Sequence, residues 1–307
     1  MVLQIATPIN QLGVGVARQV KIVTRLALFG TKLRRALTVA AIIAIGAATG
    51  PAPAFAIVSA EYYAPPVAQC KNATLTADAN CTVTVTPGDV DDGSYDPNGV
   101  TVTMEVSPAS LTGTGSHTVT LTVTGYKGAL STCTATVTVV DATPPDLTCP
   151  GNQTVNATGP TGTVVNYPAA AASDNCGSVT VGYSKDSGTL FPIGDTTVNV
   201  TATDVALNES TCSFKVHVKK AAEQINDLIA KVNALPDVKS PNKTALVTKL
   251  QGARAALAVN NTATGCGLMQ DFINLVKAQK DKKLISAAAA VDLTADAARI
   301  RAVIGCP

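Results

Sequence analysis

Two patterns of apolar positions divide the chain. In the first, apolar and polar residues alternate: Val119, Leu121 and Val123 are separated by Thr, and Val198, Val200 and Ala202 by Asn and Thr. Ala135, Val137 and Val139 alternate in the same way, as do Phe214, Val216 and Val218. A period of two turns one apolar row toward a core and a Thr-rich row toward water, so these runs predict β-strands. Turn residues punctuate them at Pro87-Gly88, Asp92-Gly93, Pro97-Asn98-Gly99, Gly113, Gly125, Gly177, Gly188 and Gly194. Short strands spaced by such turns predict a β-sandwich.

Beyond Val218 the period lengthens. Ile225, Leu228, Ile229, Val232 and Leu235 share one face of a helix. Ser240-Pro241 reads as the N-cap and first position of a second helix carrying Leu246, Leu250 and Leu257. A third contains Leu268, Phe272, Ile273, Leu275 and Val276, and a fourth runs from about Leu284 to Ile304. Four helices of this kind predict a compact antiparallel bundle rather than a disordered basic tail.

The strand region repeats itself. Gly115–Val139 aligns without gaps on Gly194–Val218 at an offset of 79, with ten of 25 positions identical, including Ser131-Thr132-Cys133 against Ser210-Thr211-Cys212. The same offset carries Cys70 onto Cys149. Two tandem modules follow, 68–140 and 141–218, ahead of the helical segment 219–307.

Charge sharpens this partition. Residues 1–56 carry net +6, residues 57–218 net −10 and residues 219–307 net +6. The first of these segments reads as an export signal: Arg34-Arg35 precede the apolar run from Ala36 to Thr49, and Ala54-Phe55-Ala56 offers a small-x-small cleavage site. The run stops at Gly50-Pro51, short of the about 20 apolar residues of a membrane span. Cleavage after Ala56 would leave a linker, 57–67, ahead of the first module, and no stable membrane span. All eight cysteines lie beyond residue 69 and none is in a CxxC. That fits an oxidising compartment and disulfides better than a zinc ribbon or a redox motif.

The second module resembles a hyalin repeat (HYR) domain. The resemblance rests on Asp141-Ala142-Thr143-Pro144-Pro145, Thr148-Cys149-Pro150, Ser173-Asp174-Asn175-Cys176, Ser187-Gly188 with Phe191-Pro192-Ile193-Gly194, Thr201-Ala202-Thr203-Asp204 and Cys212-Ser213-Phe214. One departure bears on turn geometry: the family's usual Gly after the Asp204 region is Leu207, next to Asn208. The first module is similar, more loosely, to bacterial immunoglobulin-like repeats. The tail resembles a small helical module found at the C-termini of secreted bacterial proteins and enzymes. The resemblance implies an extracellular module with an immunoglobulin-like fold, generally non-catalytic and associated with adhesion. The fold class expected is therefore two tandem immunoglobulin-like β-sandwiches followed by a small antiparallel helical bundle.

In such a sandwich the first and last strands can lie side by side and parallel. Cys70 to Cys133 and Cys149 to Cys212 share a spacing of 63 residues, and these two pairs are expected to form disulfides. Cys266 and Cys306 are expected to join helix ends that antiparallel packing brings together. Cys81 and Cys176 then pair with each other, pair within their own modules by displacing these assignments, or stay buried and free.

Candidate chemistry is sparse. The acidic loop 89–99 places Asp89, Asp91, Asp92, Asp96 and Asn98 within eleven residues, a supply of hard oxygen donors that makes it the candidate calcium site. It lacks the Glu at position twelve of an EF-hand loop, and the competing reading is a turn whose carboxylates cap backbone N–H groups. Asp174 with Asn175, and Asp204 with Asn208, are lesser calcium candidates that read first as turn caps. His117 and His217 read as solvent-facing strand residues. No GxSxG, HExxH or P-loop occurs. With no Trp and only scattered Tyr residues (62, 63, 95, 126, 167, 183), nothing forms an aromatic platform for sugars. Lys277, Lys280, Lys282 and Lys283 cluster between the last two helices without aromatic interleaving, so nucleic acid is a poor partner and an anionic cell-surface polymer a better one, with a solvated loop between the helices as the leading plain reading.

The sequence thus predicts a secreted or cell-surface, non-catalytic protein for adhesion or scaffolding. It needs no cofactor beyond the candidate calcium, and its partner is an extracellular protein or a surface polymer. The alternative is an accessory protein that targets a secreted hydrolase.

Overall fold

The structure, a computed structural model, describes residues 37–44, 55–236 and 238–307. The expected export segment, 1–56, therefore lies largely outside the described residues. Strands β1 (Leu37–Ala44) and β2 (Phe55–Tyr62) form an antiparallel pair at its end. The chain divides into two compact units, Met1–Asp78 with Thr82–Val140, and Ala79–Cys81 with Asp141–Pro307. Among the described residues no helix is long and apolar enough to cross a membrane.

The first unit continues with β3 (Ala73–Thr76), β4 (Thr82–Thr84), the one-turn helix α1 (Pro87–Val90), β5 (Thr103–Ser107), β6 (Ser110–Thr112), β7 (Gly115–Thr124) and β8 (Leu130–Val140). Its main sheet has the order β3-β8-β7-β5, with β3 parallel to β8 and the other pairs antiparallel, while β4 and β6 form a separate pair. The alternation along β7 and β8 places Val119, Leu121, Val123, Ala135, Val137 and Val139 in the core, where each is at most 3% exposed. Val85, Val90 and Leu111 are buried in the same unit.

The second unit opens with β9 (Asp146–Thr148), β10 (Gln153–Asn156), β11 (Thr163–Val165), β12 (Ala171–Ser173), β13 (Thr180–Tyr183), β14 (Thr189–Phe191), β15 (Gly194–Thr203) and β16 (Glu209–Lys219). Its four-stranded sheet, β10-β16-β15-β13, repeats the first unit's pattern, again with the outer strand parallel to the last. Two antiparallel pairs, β11–β14 and β9–β12, complete the strands. Val165 and Phe191 from one pair and Val198, Val200, Phe214, Val216 and Val218 from the large sheet form one buried cluster, a two-layer β packing. Tyr167 sits inside this cluster. Its ring lies 4.8 Å from Phe214, and its hydroxyl donates to the carbonyl of Lys185.

Four helices follow: α2 (Ala221–Asn233), α3 (Ser240–Ala258), α4 (Thr262–Asp281) and α5 (Ala287–Ile304). Each packs on two others, closing the ring α2–α3–α4–α5. Leu228, Leu246, Leu250, Met269, Phe272, Leu293 and Ile300 fill its centre. The boundaries shift slightly from those the sequence suggests. Helix α3 begins at Ser240 with Lys239 as its cap, which the chain tolerates because Pro241 then withholds an N–H that has no intrahelical acceptor. Helix α5 begins at Ala287 because the Ser286 hydroxyl accepts from the Ala289 N–H.

Sheet and helices of the second unit share packing. Val303 of α5 and Ala221 of α2 contact the β cluster. The Gln224 side chain, 2% exposed, donates to the carbonyls of Ala157 and Lys219 and accepts from Arg299. Four disulfides staple the described chain: Cys70–Cys133, Cys81–Cys176, Cys149–Cys212 and Cys266–Cys306. Cys81 lies in the short segment that groups with the second unit, and Cys266–Cys306 ties the start of α4 to the end of α5.

Candidate functional site

The acidic loop of the first unit uses its carboxylates locally. Asp89 accepts from the backbone N–H and the hydroxyl of Thr86, closing the single turn of α1. Asp91 accepts from the N–H groups of Gly93 and Ser94. Asp96 is 6% exposed and accepts from Asn98 at 2.7 and 2.6 Å and from the Tyr126 N–H at 2.6 Å. The Tyr126 and Asn98 bonds hold the Asp96 carboxyl below its ordinary pKa. Gly125 permits this approach, since a Cβ there would stand 2.2 Å from an Asp96 oxygen. Asn98 points its amide at the Ala64 carbonyl and at Asp96, so it presents donors rather than an oxygen ligand. Backbone bonds from Lys71 to Val90 and from Asp92 to Gln69 then lash the loop to the chain entering β3. No three carboxylates of this loop lie within 4.8 Å of one another.

The two histidines differ. His117 approaches the Gly113 carbonyl, at 3.2 Å. His217 is half-buried between two acids, with Nδ1 2.5 Å from Asp195 and Nε2 3.2 Å from Glu223. It therefore joins β15 and β16 to α2 instead of facing solvent alone. The hydrogen bond to Asp195 raises its pKa above 6.5, against a smaller opposing effect of burial, and Glu223 adds to the rise.

Carboxylates converge elsewhere. Asp141, Asp174 and Asp204 each follow a strand directly: β8 ends at Val140, β12 at Ser173 and β15 at Thr203. One oxygen from each lies within 4.8 Å of the other two. Each acid also shapes its own turn. Asp141 Oδ1 accepts from the Thr143 N–H at 3.0 Å, and Asp174 Oδ2 from the Cys176 N–H at 2.7 Å. Asp204 accepts from the Asn208 N–H and side-chain amide, both at 2.8 Å. Burial opposes the charge on Asp204, but the hydrogen bonds from Asn208 and from the Ala206 and Leu207 backbone outweigh it, and its pKa lies below the ordinary value. Leu207 takes φ +70° to make this turn.

These caps do not use every oxygen. Asp141 Oδ2 and Asp174 Oδ1 are buried and accept no hydrogen bond. Asp141 is 8% and Asp204 4% exposed. Among the described residues no Lys, Arg or His pairs with any of the three.

Residues 140–218 match the family model of the HYR domain, and residues 217–302 match that of the FIMAH domain. Residues 140–218 are thus similar to a HYR domain. The chain is 36% identical over 134 residues to hyalin of the sea urchin Strongylocentrotus purpuratus, a match spanning 41% of this chain and 11% of that protein. Among solved structures, Drosophila N-cadherin EC1-4 aligns with a TM-score of 0.30 at 14% identity, covering 61% of this chain and 58% of that one. Sidekick-1 immunoglobulin domains 1-4 align with a TM-score of 0.30 at 9% identity, covering 60% and 59%. Likenesses that slight support no conclusion.

All three clustered acids lie in the segment that matches the HYR domain. In sequence, Asp174 and Asp204 are lesser calcium candidates in two separate turns, and Asp141 reads as the start of a module. The signal available in the sequence was positional, an Asp at the first residue after each of three strands. Recognising it needs the strand ends, which alternation alone leaves uncertain by a few residues.

Proposed function

We propose that this protein is exported and works outside the cell as a non-catalytic adhesion or scaffolding component. In this reading two immunoglobulin-like β modules space and present contact surfaces, and the helical segment 219–307 extends the second. The observation that carries it is the match of residues 140–218 to the HYR domain, a family associated with adhesion and extracellular interaction. Support comes from four disulfides, which persist in oxidising compartments. The partner is an extracellular protein or an anionic cell-surface polymer, the latter meeting Lys277 and Lys280 in the last turns of α4 and Lys282 and Lys283 just after it.

The test is a pull-down with immobilised, disulfide-intact residues 57–307, offered envelope and secreted fractions of the source cells. Retention of envelope polymer or a surface protein is the expected result. Recovery of a secreted hydrolase as the sole partner would replace this reading with that of an accessory targeting protein.

A further inference from the structure

We propose that Asp141, Asp174 and Asp204 bind a calcium ion inside the HYR-like segment. The proposal is independent of the adhesive reading, since it rests on the chemistry of one cluster.

Two observations meet here. The first is convergence, with one oxygen from each of three acids within 4.8 Å of the others. Oxygens on opposite sides of a calcium ion, each at 2.3–2.6 Å, stand roughly 5 Å apart, so the three fit one coordination sphere. The second is the unpartnered oxygen of Asp141. That side chain is more than nine-tenths buried, yet its Oδ2 accepts no hydrogen bond, as is also true of Asp174 Oδ1. A buried carboxylate oxygen without a donor is costly, and a second and third carboxylate beside it raise the cost through repulsion. Turn capping accounts for the other oxygens and leaves these two unexplained. A divalent cation answers both problems, because it supplies the missing partner and neutralises the shared charge.

The surroundings admit such an ion. Asp204 accepts from Asn208 on both oxygens, but each carboxylate oxygen keeps a further lone pair. A cleft of ≈ 280 Å³ lined by Thr143, Asp146, Ser173 and Asp174 opens beside the cluster and gives water a way to complete the coordination shell. Calcium, with its flexible shell of six to eight oxygens, suits three carboxylates plus water better than magnesium, which demands a tight octahedron.

The test uses the full disulfide-bonded chain at neutral pH, with calcium chloride as the probe. Calorimetric titration is expected to show one site with a dissociation constant of about 0.1–1 mM, the range of extracellular modules. In thermal melts, about 10 mM calcium is expected to raise the midpoint by roughly 3–6 °C over chelator. Asp141→Asn should abolish that rise. In chelator it should melt no lower than the unaltered chain, because the amide keeps the Thr143 cap and removes one of the repelling charges. Asp91→Asn, in the acidic loop, should keep the rise. Absence of binding heat at 10 mM calcium would overturn the proposal, as would an equal response to magnesium or a calcium shift that survives Asp141→Asn. Because the titration of the unaltered chain is read directly, an unstable variant does not leave the question open.

Discussion

At the scale of single residues, the chain repeats its solutions as well as its folds. The Asn72 side chain accepts from the Thr136 N–H at 2.9 Å, and Asn152 accepts from the Lys215 N–H at 2.8 Å. Each occupies the point just before an outer strand, β3 or β10, begins to run parallel to β8 or β16, where the longer strand's N–H would otherwise lack a ladder partner. Leu207 is the exception to good local fit. It is 79% exposed and holds φ +70°, a conformation that costs an L-residue roughly 1–2 kcal/mol and glycine almost nothing. Leu207→Gly loses little packing but gains freedom in the unfolded chain, so a net stabilisation of about 0.5 kcal/mol is expected. Denaturant titration would show it as a higher midpoint at unchanged slope, and a lower midpoint would refute it. The resemblance to the HYR family pointed to this position, because the family has Gly there. What it did not reveal was that the Asp204–Asn208 turn survives the exchange, since that depends on hydrogen bonds visible only in three dimensions.

At the scale of elements, strands were easier to read than the contacts among them. Alternation in β7, β8, β15 and β16 marks the buried rows because each strand has one face on a core and one in water. The joint between sheet and helices left no such trace. It is made by Gln224, a polar residue on an otherwise apolar face, and by His217, which looks like any outward strand residue. Asp195 on β15, Lys215 on β16 and Glu223 on α2 are the charged groups that meet at His217. Since folding raises the His217 pKa above 6.5, its stabilising effect is fully present below about pH 6.5 and is lost as pH rises through the folded value. The midpoint difference between the unaltered chain and His217→Gln should therefore be larger at about pH 5.5 than at about pH 8.5. A difference indifferent to pH would remove His217 from the joint.

At the scale of the whole molecule, the repeat at offset 79 made the shared sheet order legible, and the 63-residue cysteine spacing marked the same geometry twice. Cys81–Cys176, 95 residues apart, has no counterpart in the repeat, so spacing alone left it open. The acidic loop attracted attention because its carboxylates are adjacent in sequence. Adjacency favours capping of neighbouring N–H groups, whereas the cluster in the HYR-like segment is assembled from residues 30 or more positions apart. Long-range convergence of this kind is a property of the fold. The central claim, that the chain works by contact at an extracellular surface, is met most directly by a binding isotherm. Fluorescently labelled residues 57–307, disulfides intact, would be titrated onto intact source cells with unlabelled protein as competitor. Saturable binding, displaced by the unlabelled chain and lost on reduction of the disulfides, is the predicted result. Binding that never saturates, or that the unlabelled chain does not displace, would contradict the account.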